Sequence, residues 1–124
     1  MDAYDNYLRA RALLGRRGTE NAQQAASLLD QVIAKDPSFA PAYAGLADAY
    51  SFMSWQIEAL PDEEGLRLMR PAAVKAIELD PLLAEAQAAM GLTYARELDW
   101  ENARRSFDRA IELNPSLTQV HTNY

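Results

Sequence analysis

Four groups of residues have types and spacing that could do chemistry: the acids of "PDEEG" at 61–65, the single histidine His121, and two arginine clusters. Asp62, Glu63 and Glu64 could hold a divalent cation or share acid–base work. A calcium loop, however, needs oxygens that alternate along the chain. Consecutive acids after a proline instead suit a helix start, where carboxylates meet free amides and the positive end of the helix dipole. No metal site is read there. His121 has no cysteine to join it, so a zinc site would need carboxylates for its other ligands; a packing role at the start of a helix is preferred. Arg104, Arg105 and Arg109 look like a basic patch until the acids are added. Glu101–Arg105 and Arg104–Asp108 are spaced i,i+4 and Arg109–Glu112 i,i+3, which describes a solvated helix face. Arg9, Arg11, Arg16 and Arg17 are denser, but Asp2, Asp5 and Glu20 lie close by. The sequence has no GxSxG, no glycine-rich phosphate loop followed by lysine and no HExxH. The expectation is a non-enzymatic chain with no catalytic residue and no cofactor.

Composition narrows the class. A chain of 124 residues with 49% hydrophobic and 24% charged residues suits one globular domain. Net charge −6 and a pI near 4.7 argue against nucleic acid or an anionic membrane as partner, because phosphate binding needs a cationic footprint. The acidic start "MDAYDNYLRA" lacks the basic and apolar regions of a signal peptide, and no apolar run approaches the ~18 residues of a membrane span. With no cysteine, a soluble cytoplasmic protein that meets other proteins is expected.

The elements that must position these residues come in repeats. "AIELDP" begins at 76 and "AIELNP" at 110, 34 residues apart, and the weaker "VIAKDP" begins at 32. In 84–117, Gln87, Met90, Gly91 and Tyr94 form one helical stripe; Ala103, Phe107, Ala110, Ile111 and Leu113 form a second. Each helix alone would leave its stripe wet, so the pair folds back as a hairpin. Gly91, Ala103 and Ala110 are expected to allow close approach, with Tyr94, Trp100 and Phe107 filling the gaps. Proline ends each unit.

On these residues the chain resembles the tetratricopeptide repeat (TPR), whose pattern is W-x2-L-G-x2-Y, A-x3-F, P. Residues 84–117 supply Gln87, Met90, Gly91, Tyr94, Ala103, Phe107 and Pro115. The second unit supplies Tyr43, Leu46, Ala47, Tyr50, Met69, Ala73, Ala76 and Pro81. The first supplies Tyr7, Ala10, Arg11, Leu14, Ala25, Leu29, Val32 and Pro37. The resemblance implies an all-α, right-handed α-solenoid of antiparallel hairpins in a single domain, 1–124. Its units are expected at about 4–39, 40–83 and 84–117, with 118–124 starting a fourth unit or capping segment. In this register the first unit has two extra residues, placed in "GRRGTEN", and the second has ten, within 51–71. The second unit's first helix is expected to reach about Ile57 and its second to start near Pro61, with a kink at Pro71.

The family works through the concave wall formed by its first helices, which implies protein binding or scaffolding. Carried over position by position, the first unit's wall comprises Leu8, Arg9, Ala12 and Arg16. The second contributes Ala44, Asp48, Ser51 and Phe52; the third, Glu85, Ala88, Ala89, Leu92 and Arg96. Leu92 and Phe52 are expected to be more exposed than core residues. Members that grip acidic chaperone tails use lysine, asparagine and arginine there as a carboxylate clamp; the matching positions here are Leu8, Ala12, Gly45, Glu85 and Ala89, none of which could hold a carboxylate. A peptide or helix burying apolar groups suits the wall better. The second unit is also similar to TPR segments of bacterial signalling proteins, namely adenylate cyclases, winged-helix regulators and serine/threonine kinases. That implies a regulatory fragment of a larger bacterial protein. A different expectation comes from "SLTQVHTNY", which would start a fourth first helix and leave Leu113, Leu117, Val120 and Tyr124 uncovered. This predicts a structural unit that stacks end to end, as a homodimer through its C-terminal face.

Overall fold

The computed structural model describes residues 2–16, 19–55 and 62–116. They form six helices and no strand: α1 (Asp2–Gly15), α2 (Thr19–Lys35), α3 (Ala40–Trp55), α4 (Asp62–Leu79), α5 (Ala84–Arg96) and α6 (Trp100–Leu113). The helices pair as α1–α2, α3–α4 and α5–α6. The start of α4 at Asp62 agrees with the acids being helix-start residues. Among the described residues no group of three or more metal-binding side chains stands together, and no helix is long and apolar enough to cross a membrane.

Each hairpin ends by the same local chemistry, which explains the recurring hexapeptide. The amides of Asp36, Asp80 and Asn114 close the final turns on the carbonyls of Val32, Ala76 and Ala110. The same three side chains then accept from the amides of Ser38, Leu82 and Ser116, at 3.3, 3.1 and 3.1 Å. An Asx turn therefore redirects the chain while the following proline, lacking a donor, cannot continue the helix. Two residues at equivalent places tie the next helix to this turn. Tyr43 Oη donates to the carbonyl of Pro37 at 2.8 Å, and Gln87 Nε2 donates to that of Pro81 at 2.9 Å. Gln87, the polar member of its stripe, is thus in place because its amide does what the Tyr43 hydroxyl does.

Packing between units runs along one side. α3 lies against α1 and α2 as well as α4, and α5 lies against α3 and α4 as well as α6. No described residues bring α2 against α4, or α4 against α6. Contact along the odd-numbered helices and separation of α4 from α2 and α6 curve the stack with α1, α3 and α5 on its inner side. α3 has four helical neighbours, and none of its described side chains is exposed; it is apolar on most of its surface, with Asp48 its one charged residue. Its alanines 42, 44, 47 and 49 are all buried and let four backbones approach. Arg70 joins the second hairpin to the third by pairing with Glu97, its guanidinium 5.6 Å from the centre of the Tyr94 ring.

Several expectations are corrected. Trp100 does not fill a gap in the third hairpin: it opens α6 on the solvent side and is 64% exposed. The α6 contact on α5 is made by Ala84, Ala88 and Gly91, while Met90 packs into the neighbouring cluster. α4 is helical on both sides of Pro71, which lies inside it on the exposed side. Residues 56–61, which include Ile57 and Pro61, lie outside the described residues. So do 117–124, and with them the expected fourth-unit start and the end-to-end contact through Leu117, Val120 and Tyr124.

The first unit's register also shifts. In α5 the stripe facing α6 is Ala84, Ala88 and Gly91, whereas Ala86, Ala89 and Met90 face the preceding units. In α1 it is Asn6 that meets α2, donating to Gln31, and Ala10 is fully buried; Leu8, Arg11 and Ala12 are exposed. Asn6 and Ala10 therefore correspond to Ala84 and Ala88. Leu8 and Ala12 match Ala86 and Met90, residues that need a preceding unit to cover them. Counted this way, the loop after α1 needs no two-residue insertion.

The α5–α6 turn holds a strained residue. The amides of Leu98 and Asp99 bond back to Ala95 and Tyr94 at 3.0 and 2.9 Å, which forces Leu98 to φ 63°. This left-handed conformation favours glycine. Leu98 is 72% exposed, so its side chain contributes little burial. Leu98→Gly is therefore expected to stabilise the fold by about 1 kcal/mol. A rightward shift of the urea midpoint checks it, and a leftward shift would assign Leu98 a packing role.

Candidate partner-binding groove

The inner side carries a cavity of about 190 Å³ built from three helices. α1 supplies Tyr7, Arg11, Leu14 and Gly15; α3 supplies Pro41, Gly45 and Asp48; α5 supplies Glu85. In the corrected register Tyr7, Pro41 and Glu85 are equivalent, as are Arg11 and Gly45, and Leu14 and Asp48. The cavity is thus the inner row of the repeat, repeated with different chemistry.

Arg11 organises it. Its Nη1 donates to Tyr7 Oη at 2.8 Å and stands 3.5 Å from Glu85 Oε2, so one side chain links the first hairpin to the third across α3. The guanidinium lies 5.8 Å from the centre of the Tyr7 ring, which also meets the Phe39 ring edge-to-face at 5.1 Å between centres. Burial pushes the Tyr7 hydroxyl above its ordinary pKa, against the lowering effect of Arg11. Arg11 itself is held above its ordinary value. Burial works against its charge, but the bond to Tyr7 and the fields of Tyr7, Glu85 and Asp48 outweigh it.

The wall residues expected from sequence are only partly brought together. Asp48 and Glu85 line the cavity. Leu92 is half-buried and packs partly on the α5–α6 cluster. Arg96 reaches across to α3 and donates to the Ser51 carbonyl at 2.9 Å, but Ser51 itself is 2% exposed and Ala89 fully buried, so neither offers a surface to a partner. Leu8 and Ala12 stand on the open face of α1 and not in the groove, because of the register shift. Arg9 and Arg16 line a separate depression between α1 and α2, with Leu13, Gln24, Ser27 and Leu28. The Phe52 side chain lies outside the described residues. Tyr7, Arg11 and Leu14 are groove residues of α1 that sequence reasoning missed. Counting back from Asp36 by the interval that separates Ala84 from Asn114 would have found them.

The remaining basic cluster of α6 is a surface face. Arg105 pairs with Glu101 at 2.9 Å and Arg109 stands 3.8 Å from Glu112. In the acidic cluster, Glu64 pairs with Arg67 one turn on, while the Asp62 and Glu63 side chains lie outside the described residues.

Against known proteins, the geometry has a clear counterpart. The chain is similar to the second TPR domain of the human RPAP3 protein, solved by NMR in complex with the HSP70 peptide SGPTIEEVD. The TM-score is 0.62 at 21% identity, over 97% of this chain and 92% of that one. The chain has a TPR fold. No family model matches its sequence, and no curated protein matches it. The likeness thus lies in the fold, with only a fifth of the residues held in common.

Proposed function

We propose that this TPR-fold chain is a protein–protein interaction module that takes a peptide or helix of a partner along its inner side. The observation that carries the reading is the inner cavity, to which all three hairpins contribute side chains. The RPAP3 domain, with the same fold, holds a peptide. The partner differs in chemistry from an acidic chaperone tail, because Gly45 and Glu85 stand at clamp positions and neither can hold a carboxylate. The likeness of the second unit to bacterial signalling proteins supports a regulatory role within a larger bacterial protein. A cyclase, kinase or winged-helix segment encoded upstream in the same gene would support that role, and a gene ending at these residues would remove it.

Peptides displayed on phage and panned on the chain test the groove. Leu92→Asp is expected to stay folded, losing roughly 1 kcal/mol for its half-buried side chain. It should weaken the enriched peptides at least about tenfold, or 1.4 kcal/mol. Leu82→Asp, on an exposed turn, should leave them unchanged. Equal binding to both variants would place the binding surface elsewhere.

A further inference from the structure

The open side of α1 has the marks of a second docking face, distinct from the inner groove. We propose that it receives a helix of a partner protein, laid antiparallel along Leu8 and Ala12, with its C-terminal turn at Arg9 and an acidic residue at Arg16. Leu8 is 48% exposed and Ala12 is exposed, whereas their equivalents Ala42, Leu46, Ala86 and Met90 are all buried in the core shared with the preceding hairpins. The flanking positions show what a covering helix offers. Arg9 is equivalent to Tyr43 and Gln87, which donate to the carbonyls of Pro37 and Pro81, just past the ends of the preceding second helices. Arg16 is equivalent to Tyr50 and Tyr94. Burial and the charge of Asp30 on α2 hold the Tyr50 hydroxyl above its ordinary pKa, and the Arg70 guanidinium of α4 lies 5.6 Å from the centre of the Tyr94 ring. The first place thus meets the end of the covering helix and the second meets a charged residue further back, such as Asp30, seven residues before Pro37. With arginine at both places, the matching helix brings its carbonyl end, the negative end of its dipole, to Arg9 and a carboxylate to Arg16. Arg9 and Arg16 line the depression of about 490 Å³ beside them, with Leu13 and Leu28 and without an acid. Neither side chain has a hydrogen bond or ion pair among the described residues. A permanently packed hairpin suits the uncharged tyrosine and glutamine of the other units, whereas arginine stays solvated when bare and pairs when covered. Two copies meeting through this face would set like charges against each other.

The probe is a synthetic peptide copying residues 22–38, the part of α2 that leads into the Pro37 turn, titrated into the isotope-labelled chain. A hydrocarbon staple between positions 23 and 27, both exposed in α2, holds it helical, since so short a helix is marginal alone. Three versions keep Asp30 or carry Asp30→Asn or Asp30→Lys. The Asp30 peptide should shift the amides of Leu8, Arg9, Ala12 and Arg16 and bind about tenfold tighter than the Asp30→Asn peptide. The Asp30→Lys peptide should be weakest. Arg16→Glu in the protein should reverse that order. Arg9→Gln should keep more affinity than Arg9→Ala, because an amide can serve the carbonyl as Gln87 does. Raising NaCl from about 50 to about 500 mM should remove the Asp30 advantage, and this arm needs no variant to fold. Equal binding of the Asp30 and Asp30→Asn peptides would overturn the pairing at Arg16. Shifts confined to groove amides such as Gly45 and Asp48, or no shift at all, would overturn the docking face. Shifts of Leu8 and Ala12 that grow with protein concentration alone would overturn the separate partner in favour of a second copy. The groove reading survives each of these failures, because its Leu92 test reads another face.

Discussion

Gly91→Leu is expected to cost the chain most of its stability. A Cβ at this position alone would lie 2.7 Å from Cδ1 and Cε1 of Phe107 and 2.9 Å from Cζ. The ring cannot swing clear, because Phe107 is buried among Ala103 and Ala110 on the α5–α6 seam. Two effects oppose each other in Gly91→Ala. Helix propensity gains about 1 kcal/mol, while overpacking costs about 1–3 kcal/mol. The contact distances decide for the cost. Leucine adds three more carbons to the same space, and a domain of this kind has only about 5–15 kcal/mol in all. Urea denaturation should show a reduced midpoint for Gly91→Ala and no cooperative transition for Gly91→Leu. Adding Phe107→Ala to Gly91→Leu should restore part of the loss, because the two side chains compete for one volume and their effects cannot add. An unchanged midpoint for Gly91→Leu would show that α5 and α6 do not meet at this pair.

Leu29→Ala is the second large effect, at about 2–5 kcal/mol. Leu29 is among the largest side chains with no exposure, and it sits in the main cluster shared by α1 to α5. Its Cδ1 lies 3.0 Å from where a Cβ on Gly45 would stand, so it rests directly on the α3 backbone. Deleting it opens a void at the seam between the first two hairpins. The closeness resembles that at Gly91, but the neighbour differs: a leucine end can rotate, whereas the face of a ring cannot. Gly45→Ala should therefore be milder than Gly91→Ala, and Leu29→Ala the most damaging of the three. A midpoint for Leu29→Ala within error of wild type would mean that the first two hairpins are not joined through this residue.

What the sequence made legible follows from the range of the forces involved. Proline and Asx chemistry acts within a few residues, so the helix ends at Asp36, Asp80 and Asn114 could be read directly. The small–large match of Gly91, Ala103 and Phe107 lies within one hairpin, and it too was readable. The first unit was misaligned because Tyr7 looks like the partner of Tyr43, both being aromatic. The exposure of Leu8 and Ala12 contradicts that alignment, and it depends on whether a preceding hairpin covers them. Trp100 has the bulk of a core residue, yet its place at the start of α6 puts it outside. Arg11 was counted with its sequence neighbours as a basic cluster; its real partner, Glu85, belongs to the third hairpin. No local pattern connects those two residues, and they organise the inner side.

The four-sided enclosure of α3 has a consequence for how this chain can drift in sequence. A helix with one packed face, such as α6, is free to change on the other, and its charged residues can be exchanged by many routes. α3 has little free face: enlarging Ala42, Ala44, Ala47 or Ala49 meets buried surroundings. Evolution of a new binding preference is therefore channelled away from the middle hairpin's own helix walls. It falls to the few α3 positions that open on the inner side, Pro41 and Asp48, and to their facing residues on α1 and α5. Diversity among descendants of this chain would gather at that handful of sites and on α6, around a nearly invariant central rod.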